Sequence, residues 1–396
     1  MEIEKIVESI SAENIYSHVL HLEGIRHPIA NPSGLNSAAD YINSQLSIIG
    51  FEVSEHVFHL DGIDMPFRNI EGVINLGTSS EVLITAHYDT VKNSPGADDN
   101  AGAVAAMIEA ARILAESGTK KAIRCVGFTL EEGNPVLEKR ALDVGKRLMI
   151  LDSSFRHLTY HTDRICKKHS AAISTAYRAG HVGSEAWAMA DREIEVEATS
   201  DEKRYLEELR SARVCEDEDT TARLGTLDQL GSSIWARMVS SEGRRPAAVI
   251  NLETVGYTSR KPNSQQFPPG LDIKALPQHK VDLKGAVGDF IAIVSDKQSV
   301  DLGQMYFTQC ARNTVDLPAL FFALPHDIGQ IAKGLPDALR SDHAPFWLEG
   351  IPAIMVTNTA NFRSPFYHTP GDTIDRLDFD FIRKVCQATV LAALEL

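Results

Sequence analysis

The sequence predicts an α/β three-layer sandwich, in which a central mixed, largely parallel sheet lies between layers of helices and carries a mainly helical insertion. Two observations lead there. Short apolar runs rich in Val, Ile and Phe alternate with amphipathic stretches at helical spacing, the rhythm of a sheet covered by helices. Residues 135–245 break that rhythm: they hold no convincing buried strand and are rich in Arg, Lys, Glu and Ala. A chain of 396 residues suits one large α/β domain with an insertion, or two domains.

Taken in order, residues 11–22 and 35–49 read as amphipathic helices. Phe51 to Leu60, Asn69 to Leu76 and Glu81 to Ala86 read as strands. Asn100 to Ser117 reads as a helix because Val104, Met107, Ile108, Ala111 and Leu114 fall on one face. Ala122 to Leu130 is apolar almost throughout, as a strand buried on both faces must be. Further strands are expected at Pro246–Val255, Asp289–Ser295, Ala319–Leu324 and Pro352–Thr357, and a last helix at Phe379–Leu394. Residues 258–283, with four prolines, read as an irregular loop. The expected organisation is a core built from residues 1–134 and 246–396, interrupted by the insertion at 135–245.

Composition narrows the partners. A hydrophobic fraction of 43% and a charged fraction of 23% are ordinary for a globular protein. A formal net charge of −15 repels phosphate backbones, so nucleic acid is not an expected partner. No window approaches the roughly 20 apolar residues of a membrane span, and Met1-Glu2-Ile3-Glu4-Lys5 lacks the basic start and apolar core of a secretory signal. The five cysteines are odd in number and scattered, which suggests neither a disulfide framework nor a cysteine metal site. A cytoplasmic location is expected, with no membrane partner.

Five segments at the ends or starts of these elements concentrate metal-binding chemistry: Ala86-His87-Tyr88-Asp89, Gly96-Ala97-Asp98-Asp99-Asn100, Leu130-Glu131-Glu132-Gly133, Asn251-Leu252-Glu253 and Tyr367-His368-Thr369-Pro370. Imidazole nitrogen with carboxylate oxygen suits zinc. Residues two apart in a strand share a side, so Asp89 can reach the ring nitrogen of His87 that is not on the metal and fix its tautomer. Asp98, Asp99 or Asn100 could simply cap the helix that follows, yet an aspartate there is also placed to bridge two cations. Glu131 and Glu132 approach one site only if the chain turns, and Gly133-Asn134-Pro135 supplies a turn. One of the two can bind metal while the other works as a base. Ser341-Asp342-His343 has the composition of a triad, but three consecutive residues cannot line up as nucleophile, base and orienter.

The ordered set resembles the co-catalytic di-zinc exopeptidases, the family of bacterial leucyl aminopeptidase and glutamate carboxypeptidase, with glutaminyl cyclase more distant. The resemblance covers residues 11–134 and 246–396. It adds Pro95-Gly96 before Ala97-Asp98-Asp99-Asn100, Ser341-Asp342-His343-Ala344-Pro345-Phe346, and Gly371-Asp372-Thr373 after Pro370. It implies a peptide substrate and two zinc ions, with cobalt or manganese able to substitute. One zinc would take His87, Asp99 and Glu253, and the other Asp99, Glu132 and His368. Glu131 would be the general base, Asp89 the orienter of His87, and Tyr367 an oxyanion stabiliser. The resemblance also implies a cis peptide bond after Asp99. The implied activity is aminopeptidase, with a carboxypeptidase, amidohydrolase, cyclase or non-catalytic binding protein as alternatives. The chain departs from the family in two places. Glu253 stands where Asp is common, and the Gly-Ser helix start that usually follows the Glu-Glu pair closely is read here at Gly183-Ser184, giving a core-like helix near 181–190. The insertion is expected to act as a lid beside the site; the competing role is a homo-oligomerisation arm.

Overall fold

The computed structural model describes residues 3–75, 77, 81–179, 181, 183–213, 224, 228–268 and 272–396. Leu76, the predicted end of a strand, and Cys215 lie outside the described residues.

Nine strands form one sheet among the described residues: β1 (Glu52–Phe58), β2 (Phe67–Ile74), β3 (Glu81–His87), β4 (Ala122–Phe128), β5 (Ala248–Glu253), β6 (Gln278–His279), β7 (Ile291–Ser295), β8 (Ala319–Ala323) and β9 (Ala353–Thr357). Their order is β1-β2-β4-β3-β5-β9-β7-β8-β6. The central β4-β3-β5-β9 block is parallel, with Ile84 opposite Cys125 on one side and Ile250 on the other. The β1-β2-β4, β7-β9 and β6-β8 pairings are antiparallel, so the sheet is mixed. The β6 strand falls in the stretch read as an irregular loop; two residues are too few for a periodic signal.

Alternation along the strands divides two cores. Val82, Ile84, Ile123, Cys125, Ile250 and Leu252 face a layer made by helices Ala12–Leu22, Pro32–Ile49, Gly102–Ser117, Val300–Cys310 and Phe379–Glu395. Leu83, Val126, Phe128 and Val249 face the layer that contains Leu230–Ser241 and Ala344–Leu348. The helix ends follow local chemistry. Pro32–Ile49 starts with Asn31 accepting the Gly34 amide and stops at Gly50, whose φ of 99° ends the helix in left-handed backbone. Glu109, in the middle of an apolar helix, is fully buried, and its carboxylate accepts from Ser11 N, Asn14 Nδ2 and Arg112.

Four helices occur between residues 135 and 213: Pro135–Arg147, Tyr160–Arg178, Gly183–Ile194 and Ser200–Arg213. They build small apolar clusters of their own around Leu142, Leu151, Ile165 and Leu206. The core-like helix expected near 181–190 needs correction. The helix at Gly183–Ile194 lies in this outer group, where Trp187 packs on His169 of the helix Tyr160–Arg178. The helix that lies on the sheet is Leu230–Ser241. Its Trp235 is fully buried against Phe128 and Phe346, and this helix too begins with a Gly-Ser pair, Gly231-Ser232. A β-carbon at Gly231 would meet Thr129 O at 2.0 Å, so only glycine lets this helix close on the end of β4.

Candidate metal centre

The carboxyl ends of parallel strands are where an open α/β sheet leaves a crevice, and here those ends carry the chemistry. His87 is the last residue of β3 and Glu253 the last of β5. Glu131 and Glu132 follow β4. The chain turns on both sides of the pair: at Leu130, with φ of 57°, and at Gly133, with φ of 153°. Asp99 lies in the wide turn Ala97–Ala101, whose Asp99–Asn100 peptide bond is cis. His368 comes from a C-terminal loop.

These side chains converge. His87 Nε2 lies 3.2 Å from Asp99 Oδ1 and 3.5 Å from Glu253 Oε2. His368 Nε2 lies 3.1 Å from Asp99 Oδ2 and 3.0 Å from Glu132 Oε2. Two ligand groups result, His87-Asp99-Glu253 and Asp99-Glu132-His368, sharing Asp99; Glu131 also lies within reach of His87 and Glu132. His87 Nδ1 and Nε2, Asp99 Oδ2, Glu132 Oε1 and His368 Nε2 are buried without a hydrogen-bond partner. Lone pairs aimed at one another, and otherwise unsatisfied, are what a cation between them requires.

The electrostatics agree. Burial pushes Glu131 well above the usual carboxylate range, and burial with the Asp99 charge pushes Glu132 up to about 7. Asp99 is the exception: burial acts to raise it, but His368 and His87 hold it well below its ordinary value. Against the effect of burial, Glu132 and Asp99 lift His368 to about 10. These buried acids are in excess over the two imidazoles, an imbalance that a divalent cation would relieve.

The surrounding residues fix these groups. Asp89 sits 3.6 Å from His87 Nδ1, beyond hydrogen-bond reach. Its two oxygens instead accept the Glu131 and Glu132 amides at 3.1 Å each. Asp89 thus holds the Glu-Glu turn while facing the His87 ring. Asp98 does not cap the helix: it accepts from Gly256 N, Tyr257 N and Asn358 Nδ2 at 2.7–2.9 Å. Asp372 accepts the Asp98 and Asp99 amides at 2.9 and 3.1 Å, clamping the turn that carries Asp99. Ser341 donates to Glu253 Oε2 and accepts from Asn251 Nδ2, both at 2.7 Å. Asp342 accepts from Ser232, and His343 bonds Ala338 O, so the Ser-Asp-His run is no triad. Gln229 Nε2 donates to Glu131 Oε1 at 3.0 Å. Tyr367 stacks on His368 with ring centroids 3.8 Å apart, and Arg340 donates to its hydroxyl at 3.4 Å. Sequence reading gave Asp372, Ser341, Arg340 and Gln229 no role. Asp372 and Ser341 lie in quoted motifs and were within reach of it; Gln229 carries no local signal.

A cleft of ≈ 830 Å³ opens beside Glu253 and Tyr367. Phe267, Val294, Phe322, Leu324, Leu335 and Met355 make its wall apolar, with Arg340 and Asp337 on one side. Among the described residues, no helix is long and apolar enough to cross a membrane.

Comparison with known proteins gives the same outline. The chain is 31% identical over 163 residues to the uncharacterized protein YfbL of Escherichia coli, covering 41% of this chain and 45% of that one. The alignment therefore spans less than half the length of that curated relative. The fold is similar to that of the Legionella pneumophila LapA aminopeptidase (TM-score 0.58, 15% identity, 100% of this chain and 74% of that chain). It is also similar to that of Porphyromonas gingivalis glutaminyl cyclase (TM-score 0.54, 16% identity, 98% of each chain). At such identities the likeness speaks for the fold alone. A family model described as Peptidase family M28 matches residues 69–204 and 215–393, which takes in most of the chain and all the converging side chains, and the chain belongs to that family.

Proposed function

We propose that the protein is a zinc-dependent aminopeptidase that removes N-terminal residues with bulky apolar side chains from peptides. The observation that carries this reading is the pair of ligand groups sharing Asp99, with Glu131 beside both and an apolar cleft opening next to them. His87, Asp99 and Glu253 would hold one zinc, and Asp99, Glu132 and His368 the other. When bound, the two ions polarise the scissile carbonyl and lower the pKa of water towards about 7.

The chain's own residues do the rest. Glu131 Oε2 faces the ligand groups, 4.0 Å from His87 Nε2. There it takes the proton of the attacking water and returns it to the leaving amine. The Tyr367 hydroxyl, steadied by Arg340 and by stacking on His368, donates to the oxyanion. The apolar wall receives the side chain of the residue being released and displaces water from it. The helices at 135–213 act as a lid that limits which peptides enter.

Arg340 favours a second reading. A guanidinium on the cleft wall would also suit a substrate carboxylate, as in a carboxypeptidase. It is engaged by Asp337 at 3.3 Å and by Tyr367, which weighs against that reading. A one-metal cyclase and a binding protein fit less well, because both ligand groups and Glu131 are retained. The test is a panel of leucyl, aspartyl and N-acetyl-leucyl anilides and C-terminally varied peptides, with zinc counted in the same sample. Release of leucine from unblocked substrates, lost in chelator and restored by zinc or cobalt, is expected. Activity on blocked substrates alone, or full activity without metal, would sink the proposal.

A further inference from the structure

We infer that Gln229 is the positioning residue of the general base: its side-chain amide holds one Glu131 oxygen so that the other alone faces the reacting water. The inference rests on the peptidase reading above. Gln229 and Glu131 are both buried, and Nε2 donates to Oε1 at 3.0 Å. The main chain repeats the attachment. Gln229 N–H donates to Glu131 O at 3.1 Å and Leu230 N–H to Leu130 O at 2.9 Å. Leu130 and Gln229 both lie in left-handed backbone, with φ of 57° and 48°, a region that residues other than Gly, Asn and Asp seldom adopt. Two such residues, on segments joined by a pair of backbone hydrogen bonds, fix the point from which the Glu131 and Gln229 side chains depart.

Glutamine suits the task chemically. An amide N–H binds one carboxylate oxygen without neutralising the charge, whereas Lys or Arg there would pair off the base. An apolar side chain would leave Oε1 buried and unsatisfied, free to turn towards the ligand groups. The helical insertion leaves the core after Glu132 and rejoins it at Gln229, so its two stems meet at the base and the residue that holds it.

Gln229→Met keeps length and volume but removes the donor. Expected is a kcat lower by about 10–100-fold, the scale of a misplaced catalytic group, with KM within about threefold. Zinc content and melting midpoint should match the parent protein. In a Glu131→Gln background the same change should lower kcat by less than about twofold, because no base is left to position. A purely structural role predicts equal losses in both backgrounds, and that result, or an unchanged kcat in the single variant, overturns the inference. Should Gln229→Met fail to fold, Gln229→Asn suits left-handed backbone, is one methylene too short to reach Glu131, and carries the same test. If the parent protein cleaves no peptide, the peptidase reading fails by itself. The inference is then read from a crystal structure of zinc-loaded Gln229→Met: a Glu131 carboxylate turned to another rotamer supports it, and an unmoved one overturns it.

Discussion

Glu131 and Glu132 are neighbours in the chain, and the proposed function gives them different work. Glu132 Oε2 lies against His368 at 3.0 Å, whereas Glu131 is tied through Gln229 and points a single oxygen inward. Glu131→Gln should keep near-normal zinc content and lose about 10²–10⁴-fold in rate, the general-base range. Glu132→Gln should instead lower zinc occupancy, as measured by metal analysis after gel filtration; the reverse pattern would exchange the two roles. Asp372 touches no ligand atom in the two groups, yet it holds two amides of the turn that carries Asp99. Asp372→Asn should weaken zinc binding by about 10–100-fold, the usual effect of removing a supporting partner, while circular dichroism stays unchanged. A zinc titration indistinguishable from the parent would reject that role. At this scale His87 and Glu253 were legible in sequence as candidates because each ends an apolar run that fixes its direction, whereas His368, in a loop, stood out only through the resemblance. The partners that steady these groups were not legible, because Gln229 and Asp372 act across 98 and 273–274 residues of chain, and no local periodicity reports such contacts.

At the scale of the elements, the parallel strands were readable from continuous apolar runs, and so were the long helices. The sheet-packing helix within the interrupted region was not. Two Gly-Ser pairs occur there, and only the steric demand at Gly231, a β-carbon's position 2.0 Å from Thr129 O, distinguishes them. Trp235 on that helix fills the space between Phe128 and Phe346, and its indole N–H donates to Glu71 at 3.2 Å. Trp235→Ala should lower unfolding free energy by roughly 3–5 kcal/mol, as measured by urea denaturation; a change below about 1 kcal/mol would show that the helix is not part of the core. The outer helices make a different prediction. Removing Tyr160–Arg178 together with Gly183–Ile194 should re-rank substrates by length or side chain more than it alters zinc content. An unchanged ranking with a changed size in solution would make this region an assembly arm instead of a lid.

Across the whole molecule, protonation links the core to stability. His343 is fully buried. Its Nε2 donates to Ala338 O, its ring meets Trp347 edge-on at 4.4 Å, and Nδ1 has no partner. Burial pushes this imidazole down from 6.5 to about 4, so the folded protein keeps it neutral where the unfolded chain takes up a proton. Its contribution is complete above about pH 7, is lost as pH falls from about 6.5 to 4, and does not change further below that. His343→Gln retains a donor and removes the titration. Relative to the parent, the variant should gain about 3 kcal/mol of unfolding free energy between pH 7 and pH 4. A difference that stays constant across that range would show that His343 already carries its proton in the folded state.

The loop that carries His368 also carries Asp372, and it closes on a turn near residue 99. During synthesis, a chain that has not yet emerged beyond Tyr367 lacks one imidazole of the site and the clamp on Asp99. Such a nascent chain already holds Glu131 and Glu132, but it cannot complete the side-chain group of Asp99, Glu132 and His368. Under the proposed function, hydrolysis would therefore wait until the chain has folded past His368 and Asp372.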